Sequence, residues 1–523
     1  SRLRARSAME NIYNRQKKST KLATEIGSLT MDMLEPTTRT APVYKQYIDG
    51  DWREAATART FDDLDPFSGE VMAKIPAGGR EDTERAIAAA ARAFPAWAAM
   101  GPGRRFALFS KAADILERRA PDVADLLIRE TGSGRAFAMY QINLSVNQLR
   151  QTGAWGFRPV GDVIRSDQPG KLVMAIRKPM GVVAGITPWN GAHTLAWRTS
   201  LLPMAFGNTM VLKPSEDAPI SAGLILAEII HEAGFPAGVF NVITHARGEA
   251  EPVADAFFAS PHVRSINFTG SAAVGRILAA RAGQSLKRIV LELGGFNPML
   301  VMADANVDEA VAAATFGAFF HQGQICMNTR KIYVERPIAE AFTTKLVARA
   351  EGLKSGDPSE QGVVIGPLIH DKAVESVKAR VGEAVAAGAR VLTGGSAEGR
   401  VYRPTILVDV PDTVAAFREE TFGPVLIVET VDSVDEAMAG ISDTRYGLAA
   451  SIFSGDRERA LALAEQFDVG MVHVNSSTMA SEPSMPNGGV KDSGWGRSGY
   501  YAIEDFTEIR LTTVSREAGH YPI

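Results

Sequence analysis

A single cysteine in 523 residues rules out an internal disulfide framework, so the fold must rest on buried apolar surface. That cysteine and the eight scattered histidines never fall at zinc-type spacing, which argues against a structural metal. No uninterrupted apolar run of about 18 residues appears, so no transmembrane helix is expected. The net charge is only −4, from 56 basic and 60 acidic side chains. A balance so near neutral gives no reason to expect nucleic acid or an anionic membrane surface. There is no tandem repeat and no low-complexity tract beyond Ala-rich helices. What remains is an ordinary globular composition, 46% hydrophobic and 22% charged. At roughly 100–200 residues per domain, the length allows two to four domains with large cores.

Residues 1–40 differ from the rest. Within the first thirty, Arg2, Arg4, Arg6, Arg15, Lys17, Lys18 and Lys21 face only Glu10 and Glu25, so the segment reads as a basic arm outside the catalytic fold, with a transit peptide as the alternative. Regular structure is expected from Tyr44. Tyr47 to Trp52 reads as a hairpin, because Asp49-Gly50 suits the positive-φ positions of a type I′ turn. Asp65 to Gly69 reads as a second turn. Glu81 to Glu130 carries a helical pattern, with breaks expected at Pro95 and at Gly101-Pro102-Gly103. Lys171 to Lys178 is extended.

From Gly181 the rhythm becomes strand, helix, strand. The strands are Gly181–Ile186, Thr209–Leu212, Val239–Ile243 and Ser265–Phe268, with helices at Thr194–Phe206 and Ile220–Glu232. A second such rhythm follows Gly294-Gly295. Its strands fall at Pro298–Met302, Lys331–Val334, Thr405–Val408, Val425–Val428, Ala450–Phe453 and Met471–Asn475. Alternation of this length indicates βαβ units and mainly parallel sheets. Ligands of such sheets bind beyond the carboxyl ends of the strands, which is where the polar motifs lie.

Cys326 sits in His321-Gln322-Gly323-Gln324-Ile325-Cys326-Met327-Asn328. An Ala-rich helix from Asn306 to Phe320 precedes it, Gly323 can stop that helix, and a strand follows at Lys331. A lone cysteine is ordinarily a small buried hydrophobe; the surrounding motifs point elsewhere. Thr269 to Gly275 follows a strand and opens a helix, as either a diphosphate cradle or a tight packing turn. Lys213 and Glu216, just past a strand end, can hold the hydroxyls of a ribose or form a solvated turn. Asn190 can donate to a developing oxyanion or simply cap a turn. Glu292 lies between two leucines at a strand end, where burial would raise its pKa toward that of a general base. Glu420 and Phe422 offer a carboxylate and a ring beside a turn.

Together, Pro188-Trp189-Asn190, Lys213-Pro214-Ser215-Glu216, Phe268-Thr269-Gly270-Ser271, Leu291-Glu292-Leu293-Gly294-Gly295, Gly323-Gln324-Ile325-Cys326 and Glu420-Thr421-Phe422-Gly423-Pro424 resemble the NAD(P)-dependent aldehyde dehydrogenase superfamily. Order and spacing both fit, with Asn190 and Lys213 23 residues apart and Glu292 and Cys326 34 apart. The resemblance implies an α/β protein of three parts. A Rossmann-like cofactor domain is expected over 41–160 and 181–293, and an α/β catalytic domain over 294–480. A small β oligomerisation element is expected over 161–180 and 500–517, with a strand from Phe506 to Val514. It implies Cys326 as the nucleophile, Asn190 with the Cys326 N–H as oxyanion hole, and Glu292 as the base that activates water. Cofactor contacts fall on Ile186, Trp189, Lys213, Glu216, Gly270, Ser271, Gly275, Leu293, Glu420 and Phe422. The expected cofactor is NAD rather than NADP, because a carboxylate at Glu216 would repel a 2′-phosphate. Glu292 favours hydrolysis to a free acid over transfer to CoA. Phe296 departs from the lysine usual after Gly-Gly. No metal is expected. The partner is another copy of the chain, as a homodimer or homotetramer, and the setting is cytoplasmic.

The substrate is expected to meet Gly191, Thr194, Leu195, Arg198, Ile325 and Met327. Gly191 leaves room where many relatives place Phe, and Arg198 resembles the vanillin and salicylaldehyde dehydrogenases. That points to an aromatic aldehyde, with Arg198 stacking on or donating to the ring; an Arg salt-bridged on a helix face is the plain alternative. Asn487 makes the pocket mouth more polar. His193 and His473 read as packed or capping residues. An aliphatic aldehyde or semialdehyde, its distal carboxylate on Arg198, is the competing substrate. A non-catalytic scaffold is the competing class, and a cysteine hydrolase lacks a motif-placed His base.

Overall fold

The computed structural model describes residues 41–516 and Ile523. The basic arm expected over 1–40 lies outside the described residues. The first sheet carries five parallel strands: β1 (Val182–Ile186), β2 (Thr209–Lys213), β3 (Phe240–Val242), β4 (Val263–Thr269) and β5 (Arg288–Glu292). β1 is central, β2 and β3 lie to one side, and β4 and β5 lie to the other. The direction of winding therefore reverses between β1 and β4, and a crevice opens there at the carboxyl edge. Registers align the strand ends. Ile186 pairs with Lys213 and with Phe268, and Thr269 pairs with Glu292.

Successive side chains of a strand point to opposite faces, so a sheet buried on both sides needs two apolar layers. Val183, Met210 and Leu212 enter one core with Trp197 and Leu201. Val182, Ala184, Ile186 and Val211 enter the other with Ile266, Phe268 and Leu291. The edges are closed by antiparallel additions. The hairpin Gln46–Ile48/Asp51–Arg53, turned by Asp49 (φ 59) and Gly50 (φ 82), flanks β3. At the far edge Gly494–Trp495 pairs with β5, setting Gly494 opposite Glu292. Trp495 Nε1 donates to Ile289 O at 3.0 Å, and Leu293 N donates to Ser493 O at 3.1 Å.

The second sheet has seven strands, in the order Arg390–Thr393, Thr405–Val408, Val425–Val431, Lys331–Glu335, Pro298–Val301, Ala449–Phe453 and Met471–Val474. All pair in parallel except the edge strand Arg390–Thr393. A third, three-stranded antiparallel sheet joins Thr507–Ser515, Lys171–Pro179 and Gly161–Ile164.

Several local expectations need correction. Pro95 does not break its helix, which runs from Arg80 to Ala99. Proline removes one N–H and crowds the preceding turn. Here Trp97, buried and donating Nε1 to Met204 O at 3.0 Å, anchors the turn beyond it. The helix from Ile220 begins as a π turn, Ile220–Leu224, whose first amides are held by Glu130: Ile220 N and Ser221 N each donate to its carboxylate at 2.7 Å. Helices Arg135–Ala154 and Ala250–Ala259 lie outside the segments read as helical from the sequence.

Candidate active site

Three helices bear on the site: α1 (Ala192–Ala205), which follows β1, α2 (Ala272–Gln284), which follows β4, and α3 (Val307–Phe319), which precedes the cysteine. α3 is capped by Asn306, whose Oδ1 accepts from Asp308 N and Glu309 N. It ends at Phe319, earlier than Gly323. Gly323 instead closes a run of three left-handed residues, His321 (φ 50), Gln322 (φ 54) and Gly323 (φ 67). A Cβ on Gly323 would collide with Gly423 O, so only glycine fits there.

Left-handed His321 and Gln322 cost about 1–3 kcal/mol each. Buried Arg330 offsets this by donating to Gly423 O at 3.0 Å, Gly323 O at 2.6 Å and Ile325 O at 3.1 Å. Charge-assisted bonds contribute about 1.5–3 kcal/mol each, enough to hold the turn. Gln322 Nε2 adds bonds to Gly132 O (2.6 Å) and Pro367 O (3.1 Å), and Asn297 Nδ2 donates to Cys326 O at 2.6 Å. The cysteine loop is thus fixed from four sides. Arg330, Gln322 and Asn297 were not singled out from the sequence; left-handed non-glycine residues leave no composition signal.

One cavity gathers Cys326, Asn190 and Glu292 together with Gly191, Thr194, Leu195, Arg198, Ile325 and Met327. All nine positions named from the sequence as catalytic or substrate-binding therefore line a single space. The rest of the wall includes Phe137, Tyr140, Leu144 and Gln148 on the helix Arg135–Ala154, with Met479, Ser481 and Asn487 beyond. The 3-and-4 spacing of the first four is a legible helix-face signal, missed because that helix was not recognised. Asn487 does reach the cavity, and its Nδ2 donates to Ser481 Oγ at 2.7 Å.

Cys326 keeps partial exposure. Burial pushes its thiol up to about 12, Arg198 pulls it down, and Glu420 and Glu292 push it further up. Asn190 Nδ2 donates to Gln324 O at 2.8 Å. Burial raises the Glu292 carboxyl above its ordinary value, opposed by the guanidinium of Arg198. Arg198 Nη2 donates to Glu292 Oε2 at 2.9 Å. The choice between a pocket-lining Arg and a salt-bridged Arg was a false one, because Arg198 does both.

Most of the expected cofactor positions follow strands of the first sheet, while Glu420 and Phe422 precede Val425–Val431 of the second. Ile186, Lys213 and Thr269-Gly270 end β1, β2 and β4, and Leu293 follows β5. Buried Lys213 donates to His245 Nε2 at 2.5 Å, and burial lowers it to about 8. Glu216 lies 3.8 Å from that His245 nitrogen and 3.6 Å from Arg247. Ser271 Oγ caps α2, accepting from Val274 N. Gly275 packs on Leu293, where a Cβ would stand 2.7 Å from a leucine methyl. Trp189 meets Phe422 edge-on at 5.9 Å. Glu420 is pushed up to about 7 by burial, against the pull of Arg330, and its Oε1 is buried with no partner. An orphaned acceptor, a helix N-terminus and a Lys–Glu pair along one strand edge fit a dinucleotide: hydroxyl donors for Glu420 and Glu216, and an anion for the start of α2.

His193 is packed as expected. It accepts from Trp197 Nε1 at 3.0 Å, and burial lowers it to about 4. His473 is lowered by burial as well and does not line the cavity.

The family model described as the aldehyde dehydrogenase family matches residues 52–512. The chain belongs to the aldehyde dehydrogenase family. It is 42% identical to a vanillin dehydrogenase of Pseudomonas fluorescens, over 91% of this chain and 98% of that enzyme. It is 38% identical to a glutarate-semialdehyde dehydrogenase of Pseudomonas putida, over 91% and 99%. The crystal structure of a salicylaldehyde dehydrogenase from Pseudomonas putida G7, complexed with salicylaldehyde, superposes with a TM-score of 0.90 at 36% identity, over 92% of this chain and all of that one. As an aldehyde dehydrogenase the protein is an NAD(P)-dependent oxidoreductase. Among the described residues no helix is long and apolar enough to cross a membrane, and no cluster of three His, Cys, Asp or Glu could hold a metal ion.

Proposed function

We propose that the protein oxidises an aromatic aldehyde to its carboxylic acid with NAD, using Cys326, Asn190 and Glu292. The observation that carries this is the single cavity in which those three residues meet Arg198 and a wall of Phe137, Tyr140 and Leu195. Cys326 Sγ forms a bond to the aldehyde carbon, and the carbonyl oxygen takes up charge facing Asn190 Nδ2 and the Cys326 N–H. The thiol proton must leave first. It passes to solvent, and Arg198 lowers the cost of the thiolate that remains. A dinucleotide held at the carboxyl edge of the first sheet would supply the oxidant, as the acceptor for the hydride that leaves that carbon. Glu292 then takes a proton from water, the water oxygen bonds to the thioester carbon, and the carbon–sulfur bond breaks to release acid and thiolate. Its raised pKa suits this work near neutrality.

Glu216 and Lys213 would hold the adenine ribose, Ser271 and Trp189 the diphosphate side, and Glu420 and Phe422 the nicotinamide riboside. The Glu216 carboxylate favours NAD over NADP. An aromatic substrate is supported by the vanillin and salicylaldehyde relatives and by the ring-lined wall. A semialdehyde is the second reading, favoured by the glutarate-semialdehyde relative and by a cation in the cavity. A free reactive thiol fits a reducing, cytoplasmic setting. Self-association uses the third sheet, whose Val163, Ile509 and Leu511 are 74%, 63% and 67% exposed. The test is absorbance at 340 nm with benzaldehyde, vanillin, glutarate semialdehyde and hexanal, each with NAD and NADP. Fastest turnover of hexanal would refute the aromatic reading, and that of the semialdehyde would install the second.

A further inference from the structure

Arg198 carries five N–H donors and, among the described residues, spends one of them, on Glu292 Oε2. Both side chains are largely buried, 14% and 10% exposed, and both line the cavity of Cys326. The carboxylate lies on a partition. Behind it is a smaller cavity lined by Asn267, Thr269, Arg497 and Ser498, with Arg198 and Glu292 closing its front. The other charged groups bearing on it are Arg497 and Asp505 of the C-terminal segment. Arg497 is occupied elsewhere, donating to Gly489 O and Gly496 O, and Asp505 accepts from Arg497 N. Arg198 is thus the cation that holds Glu292, and its unused donors adjoin the space a substrate must fill.

We propose that Arg198 is an exchangeable latch, holding the Glu292 carboxylate in the empty cavity and giving it up for the ring oxygen of a bound hydroxybenzaldehyde, so that substrate itself frees the base. This rests on the aromatic reading above. A guanidinium serves one strong acceptor well, and an oxygen substituent on the ring is the acceptor that such a substrate brings. Arg198 is then a positioning residue toward Glu292 and a specificity residue toward the ring. A bare benzaldehyde leaves the latch closed.

The test compares wild type, Arg198→Met and Arg198→Lys on benzaldehyde and 4-hydroxy-3-methoxybenzaldehyde, reading kcat/KM and the pH profile of kcat. Wild type is expected to favour the hydroxylated aldehyde by about tenfold or more, the factor a charge-assisted hydrogen bond supplies. Its acidic limb should lie at higher pH with that substrate than with benzaldehyde, because Glu292 loses its cation. In Arg198→Met the preference vanishes and both limbs coincide at the higher pH. Arg198→Lys returns the benzaldehyde limb toward the wild-type position, since the charge is restored, but regains little of the ring preference without the planar fork. Wild-type limbs that coincide, or a preference that survives Arg198→Met, overturn the latch. Failure of the aromatic reading looks different: hexanal would outrun both benzaldehydes in wild type and variants alike.

Discussion

Gly294→Ala tests the cofactor edge with one methyl group. A Cβ at Gly294 would stand 3.0 Å from Glu420 Cδ and 3.2 Å from Oε1, and closer still to Oε2. Comfortable contact between such atoms needs about 3.5 Å or more, so the carboxylate must retreat by on the order of 1 Å. Gly294 has no left-handed φ, and the effect is therefore purely steric. The retreat carries Glu420 away from the Gly295 N–H that stabilises its charge, and from the place where its orphaned Oε1 would accept a ribose hydroxyl. Losing one charge-assisted bond costs about 1.5–3 kcal/mol, so NAD affinity should fall roughly tenfold to a hundredfold. Isothermal titration with NAD reads this directly, and a melting curve confirms the fold. The control is Gly283→Ala, where the new Cβ meets nothing within 4 Å. It should bind NAD as wild type does and be no less stable. If Gly294→Ala binds NAD within about twofold of wild type, the assignment of Glu420 to the cofactor is wrong.

Three further outcomes are expected. Glu292→Gln keeps the first burst of NADH in stopped-flow, while the steady rate drops by about 10²–10⁴, since acylation does not need water and hydrolysis does. Glu420, raised by burial to about 7, favours the folded state when protonated. That contribution is complete below its ordinary pKa near 4.5 and is lost as pH rises through about 7. Melting curves should therefore show Glu420→Gln level with wild type near pH 4 and increasingly ahead of it by pH 8. Ile509→Lys with Leu511→Lys should reduce the assembly to monomers in light scattering, with the melting temperature of each chain showing whether the fold survives.

Much of the site was readable because its residues sit at strand ends. Lys213, Glu292 and the Thr269–Gly270 turn each follow a buried apolar run, and a doubly wound sheet brings those ends together without further information. The hairpin at Asp49-Gly50 was equally plain, because its turn type demands those residues. The wall from Phe137 to Gln148 was not. Its helix is polar and apolar by turns, with buried Gln141, Ser145 and Thr152 blurring the stripe. Pro95 misled because tertiary anchoring by Trp97 outweighs a local rule. The pairing of Arg198 with Glu292 joins side chains 94 residues apart and has no signature in either segment.

The short strand Gly494–Trp495 gives the molecule an order of assembly. Until residue 495 emerges during synthesis, the strand bearing Glu292 has one flank without its ladder, and the amide of Leu293 lacks the Ser493 carbonyl. A pairing between segments some 200 residues apart forms late, because loop closure must precede it. A nascent chain arrested near residue 480 would thus have no finished water-activating wall, because that wall closes only once Gly494–Trp495 has been made.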